Sequence, residues 1–137
     1  MTLQPLLAAS WAIQLHVLTL VVALVIGTWQ FFLSKKGTMP HRAVGTAFVM
    51  LMVISAIVSL FIHARSPNSR FFGLSWLHLY VPLILCLCAI ALYGALTHRR
   101  RLHRFAVISL YFGSLIFTGL VQVLLAQGIT HRMFFRS

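Results

Sequence analysis

Along the chain, long uncharged apolar stretches alternate with short polar connectors that carry nearly all the cations. Four such stretches run from Trp11 to Leu33, Ala43 to His63, Trp76 to Thr97 and Phe105 to Leu125, each of 21 to 23 residues. At ~1.5 Å per residue, a helix of that length crosses a hydrocarbon core of ~30 Å. The pattern predicts an all-α membrane protein, a four-transmembrane-helix bundle forming one domain over residues 1–137. The connectors carry helix punctuation. Ser34-Lys35-Lys36-Gly37 ends the first stretch with cations and a glycine, and Thr38-Met39-Pro40 opens the second. Ser66-Pro67-Asn68-Ser69 separates the second from the third, and Pro82 predicts a kink inside the third. The first stretch reads as a true span and not a cleaved signal: residues 1–15 carry no charged side chain, and the apolar run continues well past Ala8 and Ala9.

Composition sharpens this. Of 137 residues, 61% are hydrophobic and 8% charged, whereas soluble domains are about 25% charged. There is no Asp or Glu. That excludes carboxylate acid–base catalysis, side-chain calcium or magnesium sites and carboxylate proton relays. No catalytic residue is assigned. Cys86 and Cys88 stand two apart in an apolar run, so on a helix they point in different directions and do not bridge.

The net charge of +11 sits in the connectors. No basic face exists outside them, so the reading is no nucleic acid, with the lipid bilayer and its anionic head groups as counter-charge. Lys35, Lys36, Arg42, Arg99, Arg100, Arg101 and Arg104 lie on one side, against Arg65, Arg70, Arg132 and Arg136 on the other. The larger group predicts the cytoplasmic side and places both termini outside the cytoplasm. Trp11, Trp29, Trp76 and Tyr93 lie near span ends and read as interfacial anchors. Gln30 and Gln122 are candidates for hydrogen bonds across helices.

A shift of 62 residues partly aligns the chain with itself. Leu15-His16 falls on Leu77-His78, and His41-Arg42 on His103-Arg104. Each half then forms a helical hairpin, the two related by a pseudo-twofold axis along the membrane normal. His16 and His78 form one layer, His41 and His103 another. At roughly 100° per residue, His16 shares a face with Ala23, Gly27 and Gln30, and His41 with Gly45, Ser55, Ser59 and His63. Ala91 with Ala95, and Ser109 with Gly113, add small-residue pairs suited to close packing.

Of seven histidines, His98 and His131 read as interfacial. His16 and His78 lie deeper, where an unpartnered polar group is costly, and His63 lies at similar depth. Without carboxylates, zinc and di-iron sites lack their usual ligands. Haem needs only axial imidazoles and an apolar slot. The expectation is one or two haem b groups, ligated through iron by His16 with His78 and by His41 with His103. Propionates would find Arg42, Arg65, Arg70, Arg104 or Lys35.

Several features resemble a bacterial family of predicted membrane proteins, domain of unknown function 2306. They are His16 with Ala23, Leu24 and Gly27; Lys36-Gly37 before His41-Arg42 and Gly45; Met50 with Ser55; Leu77-His78-Leu79; and His103-Arg104 with Tyr111 and Gly113. Arg132-Met133 is similar to the family's end, although Gly-Ile-Thr-His replaces its usual Pro-Gly lead-in. The resemblance covers about residues 15–133 and implies a small multi-pass protein of the bacterial inner (plasma) membrane, with no established reaction. The histidine layout is more distantly similar to di-haem b-type cytochromes.

Two functional classes emerge: a haem-b electron-transfer protein, at most an oxidoreductase component, and a non-catalytic subunit or assembly factor of a larger membrane complex. A transporter or lipid-interacting protein ranks below both, because no buried charge is available for coupling. Candidate partners beyond lipid are quinone, a larger membrane complex and a second copy of the chain. The charge asymmetry makes one test direct. A reporter fused after Ser137 is expected to be active only outside the cytoplasm, and activity of a cytoplasm-only reporter there would reverse the orientation.

Overall fold

A computed structural model describes residues 7–62, 80–117 and 119–120. Among them every regular element is helical. Helix α1 is Trp11–Phe32, α2 is Met39–Ser59, α3 is Tyr80–Leu96 and α4 is Arg100–Ile108. The last continues into a π-helix, Ser109–Phe117. Helices α1 and α2 are long and apolar enough to cross a membrane; α3 is apolar but has 17 described residues. Ser66–Ser69, Trp76, His78, His63, Gln122, Arg65, Arg70 and the end of the chain from residue 121 lie outside the described residues.

The boundaries follow local chemistry. Helix α2 starts four residues earlier than hydropathy predicts, because Thr38 caps it and Pro40 occupies its first turn. The Thr38 hydroxyl accepts the His41 N–H at 3.4 Å. Helix α4 begins at Arg100, five residues before the predicted apolar start. Its cationic first turn is good helix-forming sequence, which apolarity alone does not detect. Gly37 turns the chain between α1 and α2 at φ +89°, and exposed His98 adopts φ +57° between α3 and α4. Pro82 lies in the first turn of the described part of α3, at the edge of what bears on the predicted kink.

Packing runs from α1 to α2, α2 to α3 and α3 to α4, and α1 touches the π-helix. The core contains Ala23, Phe48, Met52, Cys88, Ala91, Leu110 and Tyr111. Lipid tails are as apolar as leucine, so such helices associate through close contact and polar bonds. The outward residues fit that setting: Val25 is 64% exposed, Phe105 64% and Phe117 58%. Trp11, Trp29 and Tyr93 are exposed. Cys88 is buried and Cys86 exposed, on different sides of α3.

Close approach depends on two glycines. A Cβ at Gly27 would stand 2.9 Å from Phe48 and from Tyr111 ring atoms. A Cβ at Gly94 would stand 2.7 Å from the backbone nitrogen of His103. The small residues predicted to mediate packing divide differently. Ala91 is buried, but Ala95 and Gly113 are exposed, and a Cβ at Gly113 meets nothing within 4 Å. Gly94→Ala is therefore expected to destabilise the protein by about 1–3 kcal/mol, since backbone must move. Gly113→Ala should be neutral or better. Thermal unfolding in detergent distinguishes them; equal midpoints would contradict the packing.

Candidate functional site

Three of the four candidate ligand histidines are described, and each ties two helices together. His16, half-buried in α1, reaches the far end of α2. Its Nδ1 lies 3.0 Å from the Ser55 carbonyl and 2.9 Å from the Ser55 hydroxyl. A carbonyl only accepts, so Nδ1 carries the proton and the lone pair resides on Nε2. His103, in the first turn of α4, repeats this chemistry. Its Nδ1 donates to the Ala91 carbonyl at 2.9 Å. Neither Nε2 has a hydrogen-bond partner among the described residues.

His41 has the opposite proton. Its Nδ1 is 2.8 Å from Gln30 Nε2 and 3.0 Å from the Ser34 hydroxyl. The same Gln30 nitrogen donates to the His41 carbonyl at 2.6 Å. An amide nitrogen only donates, so Nδ1 accepts and the proton resides on Nε2. Flipping the amide would set two carbonyl oxygens against each other, which fixes its orientation. Gln30 Oε1 is then buried without a partner. Gly45 makes the room: a Cβ there would approach Gln30 Nε2 to 3.0 Å.

Of the His16 and His78 pair only His16 is described, because His78 lies outside the described residues. The face predicted for His16 is inward, with Thr19, Ala23 and Gly27 buried along α1. Ser55 is buried opposite it on α2. Lys35, Arg42 and Arg104, offered as propionate partners, are exposed at the connector end. Among the described residues no three His or Cys side chains cluster as metal ligands.

Tyr111 is a residue that hydropathy alone leaves unmarked. The Thr28 hydroxyl donates to the Leu24 carbonyl at 2.7 Å, so the Tyr111 hydroxyl donates to Thr28, also at 2.7 Å. Its ring lies 4.8 Å from that of Phe31 and 4.9 Å from that of Phe112. The tyrosine thus closes the packing between α1 and the π-helix. A phenol in the middle of an apolar span was the available signal, since buried tyrosines seek a partner.

A family model described as predicted membrane protein, DUF2306, matches residues 13–136. No curated protein and no solved structure matches the chain. The proton assignments can be observed directly. Imidazole nitrogen NMR at a pH where histidines are neutral should show Nδ1-protonated signals that disappear in His16→Ala and His103→Ala. An Nε2-protonated signal should disappear in His41→Ala. An Nδ1 proton on His41 would contradict the Gln30 arrangement.

Proposed function

From the premise that the chain belongs to the DUF2306 family of predicted membrane proteins, we propose that it spans the bacterial plasma membrane four times, binds haem b and transfers electrons. Both termini face away from the cytoplasm in this reading. His16 would hold the haem iron, and His78 is the candidate second ligand. The observation that carries the proposal is the bond from His16 Nδ1 to the Ser55 carbonyl. Metal-ligating histidines generally donate their second ring N–H to a carbonyl or carboxylate, which fixes the tautomer and the ring. His16 is therefore held with its lone pair on the nitrogen that would meet iron. Haem supplies the one-electron couple when bound; quinone is the candidate exchange partner.

Of the His41 and His103 pair, His103 satisfies this requirement but His41 does not, because its Nδ1 accepts from Gln30. A second haem there would require Gln30 to release His41. The alternative reading is an accessory subunit of a larger membrane complex. The Gln30–His41 bond favours it, since that histidine serves as a helix tie.

A visible spectrum of protein purified in mild detergent from haem-replete cells tests both. Bound bis-histidine haem gives sharp reduced-minus-oxidised bands. His16→Ala and His78→Ala should each remove a haem. His16→Ala with His63→Ala checks for substitution by the neighbour. His98→Ala and His131→Ala should leave the bands intact. Absence of Soret absorbance would remove the electron-transfer reading in favour of the accessory subunit, to be identified by what co-purifies.

A further inference from the structure

One flank of the bundle carries a groove that the histidine chemistry does not use. It has a volume of about 370 Å³ and runs between α3 and the α4–π-helix segment. Leu83 and Leu87 form one wall, Ser109 and Gly113 the other, with Phe105 and Tyr80 towards its two ends. The floor is roomy because the second wall is built from small residues, and a Cβ at Gly113 would meet nothing within 4 Å. Phe105 is 64% exposed and Leu83 49%, so the groove opens towards the surroundings of the bundle.

The position of the cations decides what fits it. Residues four apart on a helix lie one above the other, which aligns Arg101 with Phe105 and Ser109. Arg101 therefore heads the row that lines the groove, and it is exposed. Arg100 and Arg104 flank it, also exposed. The chain has no Asp or Glu to neutralise any of them. From Phe105 to Ser114 the groove follows nine residues, at most on the order of 13 Å, because the π-helical part from Ser109 rises less per residue than an α-helix. That is close to one leaflet of a ~30 Å hydrocarbon core.

We infer that this flank holds an anionic phospholipid, its phosphate at Arg101 and one acyl chain in the groove down to Gly113. The apolar walls exclude a free inorganic anion as the full ligand, and the arginine row selects an anionic over a zwitterionic lipid. Among the described residues no histidine lines the groove.

Native mass spectrometry of the full chain in neutral detergent tests this with phosphatidylglycerol and phosphatidylcholine as probes. The wild type should retain phosphatidylglycerol more strongly. Arg101→Gln should weaken that retention about fivefold, the effect of one cation at a membrane surface, and leave phosphatidylcholine unchanged. Gly113→Leu fills the groove without a backbone clash and should weaken retention of both lipids. Lys35→Gln with Lys36→Gln, on the other hairpin, should change neither. Equal retention of the two lipids by the wild type would overturn the proposal. So would full retention in Gly113→Leu, or a loss in the lysine variant matching that in Arg101→Gln, which would mean diffuse attraction without a site. Inorganic phosphate competing as well as the lipid would also overturn it, by showing that the groove contributes nothing.

Discussion

A chain without carboxylates cannot join its helices by ion pairs, and this constraint shapes the described structure. What remains is neutral hydrogen bonding and close contact at small residues. Both are used together. Gln30 reaches His41 across the space left by Gly45, and His103 reaches Ala91 beside Gly94. Tyr111 lies against Gly27 while its hydroxyl meets Thr28. In an apolar solvent these neutral bonds contribute modestly, about 0.6 kcal/mol on average in one membrane protein. Their larger effect is on register, since each polar group has few acceptable neighbours. The described cations, in turn, are all exposed.

The same economy bears on the histidines. An imidazole has two nitrogens, so a helix tie through one leaves the other for further chemistry. At His16 and His103 the tie consumes a proton and leaves a lone pair. At His41 the tie consumes the lone pair and leaves a proton. Two His-Arg pairs alike in sequence thus differ in what their rings offer. The difference comes from the preceding helix, which offers an amide side chain in one case and a backbone carbonyl in the other.

Much of the fold is legible from hydropathy. The limits of α1, the inward stripe through His16, Ala23 and Gly27, and the role of Gln30 all follow from periodicity and from the cost of a buried polar group. The start of α2 is legible in Thr38-Met39-Pro40, which supply its cap and the proline of its first turn; the start of α4 is not, because a cationic turn extends that helix beyond the apolar run. Gly94 was missed in favour of Ala91 with Ala95, since spacing cannot reveal which small residue faces a neighbouring backbone. The proton on each histidine depends on partners 11, 12 and 39 residues away. The π-helix has no signature in composition. The pairing of His16 with His78 lies outside the described residues.

That π-helix changes what the two pairs of helices, α1 with α2 and α3 with α4, present to their surroundings. Helices α2 and α4 open alike, each with a histidine and an arginine, but α2 stays α-helical to Ser59 while the other changes pitch at Ser109. Hydrogen bonds spanning five residues turn the side chains at a different rate from those spanning four. Beyond that point, matching positions on the two hairpins no longer share an azimuth. A half-rotation that overlays the start of α2 on the start of α4 therefore does not reproduce the same surface. The helical assembly thus has two unlike flanks, and whatever approaches it from the side meets one or the other.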